Sequence, residues 1–390
     1  MVRVFDREVA WQLPERSEGR AARLGELEPA TEKLEAWRYS PIDDLDLAAY
    51  AGRALDPPER SAAEALLHRA GWAGGPLVVV GPQGLALAPE GVAVGEVAAV
   101  GERVSLVEEP FCELASLLAP RRVEVELAGE PVALLVGASG AEAAGFAWVR
   151  IRVPASGELW LVDGASDATL AAVLVELDVA EGASLSLHHL SLGARGSSRF
   201  VELAATLGPR AEMLLGEVSA EAGYHRTRVD VALAGEEAGC RIRSAFVAGT
   251  GETQEFRTFV VHEAPRTRSD LLYKGALLGS GTSVYSGLIT ITPSGPGSDA
   301  FQTNRNLLLS PDARAESVPN LDIQVSDVRC SHASTVGPLE EDLVFALEAK
   351  GIDPERAQRM LADGFFADVA DLSEGERSLV RTALEERWQS

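Results

Sequence analysis

Three runs set the fold: Arg226-Thr227-Arg228-Val229-Asp230-Val231-Ala232-Leu233, Cys240-Arg241-Ile242-Arg243-Ser244-Ala245-Phe246-Val247 and Gln254-Glu255-Phe256-Arg257-Thr258-Phe259-Val260-Val261. They begin 14 residues apart, and clusters of Gly, Ser, Asp and Glu, such as Gly235-Glu236-Glu237, separate strand-like runs of this kind. β-Branched and aromatic runs punctuated this way read as strands joined by turns. The same texture extends from Arg122 to Val328, through Trp148–Val153, Glu158–Val162, Val173–Val179, Leu185–His189, Phe200–Leu203, Asp270–Leu277 and Ser283–Ile291. A span of roughly 200 residues of strands without a convincing intervening helix fits a sandwich, a barrel or a β-solenoid, and regular spacing slightly favours the solenoid.

The flanks read differently. Thr31–Tyr39 and Pro58–Ala70 have helical patterning, the second with Ala62, Ala63, Leu66 and Leu67 on one stripe. Pro76–Val80 reads as a short buried strand and Glu109–Leu118 as another helix. After Gly337 a helix is expected over Leu339–Lys350, stopped by Gly351. Asp353-Pro354-Glu355 starts the next helix with a capping Asp and Pro at the first position. Ser373 and Glu376 have capping-box spacing before a last helix with Leu379, Val380, Ala383, Leu384 and Trp388 on one stripe. The expected organisation is a mixed, largely helical region at 1–120, a β core at 121–336 and a helical domain at 337–390. That domain either caps an open β edge or serves as a docking platform.

The chain has 390 residues and a formal net charge of −24. Such a balance argues against nucleic acid and anionic membranes as partners, since both require excess Lys and Arg. It suits proteins or cations as partners. Cys112, Cys240 and Cys330 are widely spaced and lack a C-x-x-C pair, which points to a reducing compartment rather than a disulfide framework. Three cysteines cannot supply all-thiolate ligation of an iron–sulfur cluster, so a cluster here needs other ligand types or a second subunit. The N-terminus has no apolar signal region and no apolar run reaches about 18 residues, so a cytoplasmic location is expected.

Candidate chemistry concentrates in Asp327-Val328-Arg329-Cys330-Ser331-His332-Ala333-Ser334-Thr335-Val336-Gly337. Residues i and i+2 of a strand share a face, so Cys330 and His332 point the same way if the strand runs through them. A thiolate beside an imidazole can bind a soft metal centre; on spacing alone a buried, structural cysteine next to a histidine at a strand end is the favoured reading. Other constellations read as structural. Gly279-Ser280-Gly281 and Gly295-Pro296-Gly297 open no helix and read as turns. His188 and His189 should face opposite sides of a strand, one at the surface and one in the core. His225 falls in an expected turn without a partner. His262-Glu263 lies at a strand end with no nucleophile nearby, and Ser283, Ser286 and Ser294 lack a nucleophile elbow.

The C-terminal half resembles the SufD branch of the SufB/SufD family of iron–sulfur cluster assembly scaffolds. The resemblance rests on His262-Glu263-Ala264-Pro265 with Ser269-Asp270 and Lys274-Gly275, and on Ser283-Val284-Tyr285-Ser286-Gly287-Leu288-Ile289. It continues through Asp299–Ser310, Pro319-Asn320-Leu321-Asp322-Ile323 and Asp327–His332, with Glu35-Ala36-Trp37-Arg38-Tyr39 near the N-terminus. It implies a mainly β fold, a right-handed parallel β-helix flanked by N- and C-terminal α-helical regions. It further implies a non-enzymatic scaffold that pairs with a SufB-like subunit through the β-helix ends, homodimers being an alternative. A SufC-like ABC ATPase would dock on the C-terminal helical domain. A transient iron–sulfur cluster, shared with the partner subunit, would involve His332 and Cys330; flavin is associated with the whole complex in this family. The rival expectation is a β-solenoid that binds or cleaves acidic polysaccharide, against which stand three lysines and the negative charge.

Overall fold

Strand-and-turn units of about 14 residues return the chain to the same height of a coil every second unit. The computed structural model describes residues 2–4, 7–9, 30–33, 37–50, 52–53, 56–98, 110–140, 142–165, 169–193, 196–220 and 223–389. The first elements are β1 (Val2–Val4), β2 (Arg7–Val9), a 3-10 turn at Leu47–Ala49, β3 (Gly52–Arg53), α1 (Arg60–Ala70), β4 (Leu77–Gly81), β5 (Gly84–Leu87), β6 (Ala93–Ala98) and α2 (Pro110–Leu118). The coil itself is β7 (Arg121–Glu126), β8 (Val132–Ala138), β9 (Ala143–Val153), β10 (Ser156–Ala165), β11 (Leu170–Val179), β12 (Ser184–Gly193), β13 (Ser198–Leu207) and β14 (Glu212–Ala220). It continues as β15 (Tyr224–Leu233), β16 (Gly239–Ala248), β17 (Thr253–His262), β18 (Arg268–Leu277), β19 (Thr282–Ile291), β20 (Ser298–Leu308), β21 (Arg314–Ile323) and β22 (Val328–Pro338). Helices α3 (Glu341–Glu348), α4 (Pro354–Phe366) and α5 (Glu374–Gln389) follow.

Even-numbered strands from β8 to β22 form one sheet and odd-numbered strands from β7 to β21 the other, with parallel pairing throughout both series. The result is a parallel β-solenoid of about seven turns, as the sequence resemblance implied. At the N-terminal end, antiparallel β5 and β6 close the two sheets. The 14-residue rhythm is half a turn. A full turn is 28 residues where Ser156 lies under Ser184 and 26 where Trp148 lies under Leu174; side chains bond between turns, Trp148 Nε1 donating to Glu176 at 2.7 Å and Arg150 Nε to Asp178 at 2.7 Å.

Parallel register stacks like positions into columns. In the even sheet one interior column runs Leu159, Leu187, Leu215, Ile242, Leu271, all buried. Facing columns of Val and Leu from the odd sheet, such as Val175, Leu203 and Val229, complete an aliphatic core. Part of the interior is polar instead. His189 bonds Asp163 Oδ1 at 2.9 Å and Glu217 Oε1 at 3.3 Å, while Arg199 Nη1 donates to Asp163 Oδ2 at 2.8 Å. His225 meets Ser191 at 3.0 Å, Ser219 at 2.8 Å and Gln254 at 3.2 Å. His225 is therefore a fully partnered core residue of β15, not a turn residue; Tyr224 already starts the strand. His188 and His189 do face opposite sides, but His188 is covered: it stacks on Trp160 at 4.0 Å and bonds Glu376 at 3.0 Å.

The helices cover the sides of the solenoid rather than its end. Helices α1, α4 and α5 pack on the outer face of the even sheet, through Leu67, Phe366, Val380 and Leu384 against Val162, Val218 and Val247. The expected cap over an open edge is thus absent among the described residues, because these helices spend their apolar stripes on the lateral face. Ion pairs pin them there. Lys274 pairs with Asp368, donates to the Phe365 carbonyl at 2.6 Å and lies over the Phe365 ring. Asp371 meets Arg243 at 2.9 Å, and Arg387 Nε meets Glu252 at 2.8 Å. The Ser373–Glu376 capping box forms, with Glu376 N donating to Ser373 Oγ at 3.0 Å and Ser373 N to Glu376 Oε2 at 2.7 Å.

The outer face of the odd sheet is covered by α2 and by Trp37, which contacts Phe111 and Phe200. The helix expected over Thr31–Tyr39 is not formed at its described positions, 31–33 and 37–39, where the chain makes turns; Ser40 N bonds back to Trp37 O at 3.0 Å. The segment is held by tertiary contacts. Arg226 lies 3.6 Å over the Trp37 ring, and buried Glu255 accepts from Ser40 Oγ, Tyr224 Oη and Arg257 Nε at 2.8, 2.7 and 2.7 Å. Burial pushes the Glu255 carboxyl up, but the Arg226 and Arg257 guanidiniums outweigh it and hold it below the usual value.

Two predictions follow from this packing. A Cβ at Gly275 would lie 2.2 Å from the Phe246 ring, so Gly275→Ala should destabilise the chain by about 1–3 kcal/mol; urea unfolding within error of the parent would refute the close approach. The second concerns pH. Burial disfavours the His189 imidazolium, yet hydrogen bonds and charges from Asp163 and Glu217 outweigh it and raise its pKa from 6.5 to about 9. That contribution is complete below pH 6.5 and is lost as pH climbs through about 9. His225, through burial and the Arg199 charge, and His262, through burial, are lowered to about 4, so both oppose folding as pH falls from 6.5 towards 4. Urea midpoints should therefore peak near pH 6.5, and His189→Gln should flatten the alkaline limb alone.

Candidate functional site

The two columns that matter for chemistry end on the last coil. The Leu159–Leu271 column continues through buried Gln302 to His332, by the β18–β20–β22 register. Its neighbour runs Leu185, Met213, Cys240, Ser269, Ala300 and ends at Cys330. Strand alternation therefore turns Cys330 and His332 to the same, interior-facing side of β22. A strand does run through the pair: β22 carries both residues, and residues 324–327 separate it from β21.

Strands β21 and β22 are the last of their sheets and each is bonded on one side only among the described residues. Positions that are buried in every earlier coil are consequently open here. Cys330 is half-buried and packs against the end of the aliphatic core, whereas His332 is exposed. Ile323 and Val336, on interior-facing columns, are 37% and 41% exposed. Arg329 alternates outward and binds Asp299, with Nε 2.7 Å from Oδ1.

The layer beneath is buried and polar. Gln302 accepts from Tyr285 Oη at 3.2 Å and donates to the Asn320 carbonyl at 3.0 Å; Asn306 Nδ2 donates to Asn304 at 2.7 Å. This layer fixes the family-like segments physically. A Cβ at Gly287 would strike Gln302 Oε1 at 2.3 Å, and the Asn320 carbonyl is the anchor for the same amide.

The three cysteines are not equivalent. Cys112 and Cys240 are buried, and burial pushes the Cys240 thiol up to about 12, so it stays protonated. Cys330 is the more accessible thiol. Among the described residues no group of three or more His, Cys, Asp or Glu side chains is placed to hold a metal ion. Cys330 and His332 are thus two ligands at most, and a tetrahedral metal centre needs the remainder from elsewhere. His262, read from sequence as local structure, is that: its ring bonds Thr267 Oγ1 at 2.7 Å and Ser269 Oγ at 2.9 Å, and Glu263 is exposed.

A second surface stands apart from the coil. Helix α3 buries none of its residues, and Leu343 and Phe345 are 47% and 69% exposed, with Met360 of α4 also exposed. No described helix is long and apolar enough to cross a membrane.

Comparison with known proteins agrees with this architecture. The family description "SUF system FeS cluster assembly, SufBD core domain" matches residues 136–365. A SufBD family protein of Mycobacterium leprae is 35% identical over 193 residues, 47% of this chain and 45% of the relative. One from Mycobacterium tuberculosis strain H37Rv is 30% identical over 263 residues, 62% of each chain. The iron–sulfur cluster assembly protein SufD of Escherichia coli is 32% identical over 146 residues, 37% of this chain and 34% of the relative. The alignments span from about a third to under two thirds of these relatives' lengths. The matched segment begins in β8 and runs through the open last coil into α4, and on that evidence the chain belongs to the SufB/SufD family, as a SufD-like member.

Proposed function

We propose that this protein is a non-enzymatic scaffold subunit for iron–sulfur cluster assembly, and that its open last coil is the building site. The observation carrying this reading is the incomplete ligand set at an unpaired sheet end. Cys330 and His332 lie on the interior-facing side of the last coil, left open because β22 is unpaired on one side among the described residues, so a surface that completed the strand pairing would also bring the missing ligands. A SufB-like subunit is the partner this reading assigns, its own solenoid end adding strands to β21 and β22 by edge pairing. The nascent cluster is cargo, held between subunits and passed on. His332 is the favoured ligand because it is the accessible member of the pair.

The exposed apolar face of α3, with Met360 beside it in the helical region, is where a SufC-like ABC ATPase would dock. The loop between α4 and α5 is bolted through Asp368 and Asp371 to Arg243 of β16, Lys274 of β18 and Arg305 of β20, so force applied in the helical region has a short mechanical route to these coils. The polysaccharide alternative finds less support: the lateral sheet faces on which such a groove would lie are covered by α1, α4 and α5 on one side and by α2 and Trp37 on the other.

Co-expression with SufB-like and SufC-like proteins, followed by iron and sulfide analysis, tests the site. His332→Ala should cut retained cluster by about tenfold or more, as loss of a ligand or its support does at metal centres, while subunit pairing persists. Full cluster yield from that variant would remove the ligand role. Phe345→Asp should weaken ATPase capture by roughly 30-fold, the size of one lost hot-spot side chain, with cluster chemistry on the preloaded complex unchanged.

A further inference from the structure

The polar part of the interior is a connected file, interrupted in two places. At its inner end Asp163, His189 and Glu217 are bonded side chain to side chain. Towards the open coil, Tyr273 Oη bonds Thr258 Oγ1 at 2.8 Å, Thr258 also reaches Tyr285, and Tyr285 bonds Gln302 under His332. The first interruption lies between Glu217 and Tyr273. Ser244 occupies it, since the register runs Glu217, Ser244, Tyr273 on successive coils. The second lies between Tyr285 and the last strand, where Ser317 is the register neighbour of Tyr285.

Both interruptions are marked by buried polar atoms that lack a partner. Glu217 Oε2 and Ser244 Oγ flank the first, and Ser317 Oγ the second. Gln254 Nε2, whose Oε1 accepts from Ser219 at 2.6 Å, is a further one in the same cluster. A buried polar group without a bond costs about 1–3 kcal/mol, so native proteins fill such places with ordered water. Other unpartnered buried atoms, among them Ser283 Oγ, Asn304 Nδ2 and Asn306 Oδ1, lie elsewhere, but Glu217 Oε2, Ser244 Oγ and Ser317 Oγ sit where a water would rejoin the file.

We propose that the solenoid interior carries protons between buried His189 and the open last coil, through side chains joined by internal water. Moving outward, His189 Nδ1 gives its proton to Glu217, and Glu217 passes one to the water at Ser244. Each hydroxyl then accepts a proton from the inner side as it releases its own outward, from Ser244 through Tyr273 and Thr258 to Tyr285. Water at Ser317 receives it at the open end. No electron moves, and return transfer restores every group. The charges around the inner end balance when His189 is protonated: Asp163 and Glu217 against Arg199 and His189, with His225 neutral. This inference rests on the scaffold reading for its purpose, since a thiol or imidazole sheds a proton when it takes up a metal and regains one on release.

The test needs neither cluster nor partner, so its failure leaves the scaffold reading standing, and failure of that reading leaves the proton file measurable. Selective ¹⁵N labelling of the six histidines in the full chain gives the exchange rate of the His189 ring N–H with water, assigned by loss of its signal in His189→Gln. Tyr285→Phe and Ser244→Val should each slow that exchange by about tenfold, the equivalent of one hydrogen bond, while exposed His68 is unaffected. Unchanged exchange in both folded variants would overturn the proposal. Should either variant not fold, the parent decides: a crystal structure must show water bonded to Glu217 Oε2 with Ser244 Oγ, and to Ser317 Oγ. Dry interruptions would overturn it equally.

Discussion

Parallel register is the constraint on which everything else hangs. Once Leu187 sits over Leu159, the backbone bonds between β10 and β12 fix the height and facing of every other residue in both strands. A slip of one residue would turn the whole aliphatic set outward and the Arg and Glu set inward. The columns are therefore all-or-none. They deliver Gln302 and His332 to the end of an aliphatic column, and they also force Asp163, His189 and Glu217 into the interior, where only mutual pairing makes their burial tolerable.

Much of the architecture was legible in the sequence because the strands are long and their spacing even. Cys240–Val247 and Gln254–Val261 lie inside β16 and β17 almost to the residue. The helix starts at Asp353 and Ser373 were legible for a local reason, since capping needs only residues two or three apart. At its described positions, 31–33 and 37–39, Thr31–Tyr39 misled for the opposite reason. Its helical pattern loses to Trp37 packing on Phe111 and Phe200, contacts set by residues far along the chain. The covering role of the C-terminal helices was hidden for the same cause: Asp368 and Asp371 look like ordinary surface acids until Lys274 and Arg243 are placed opposite them.

For the site, the same-face relation of Cys330 and His332 was readable from strand alternation. What spacing could not supply is that β22 is the last strand, which alone makes an interior position an exposed one. His225 shows the limit most sharply. As a single histidine after Tyr224 it carries no signal, yet Arg199, His225 and Gln254 lie on one column, one above the next. That column becomes readable only when the lengths of the turns between strands are known.

The unpaired last coil has one more consequence. A solenoid is held together coil by coil, each contributing to the stability of its neighbours, and its ends open most readily because they have one neighbour instead of two. Cys330 and His332 lie on that fraying end. A subunit that adds the missing strands would lower the local opening frequency of β21 and β22 as it binds, so ordering of the ligands and formation of the complex would be a single thermodynamic event.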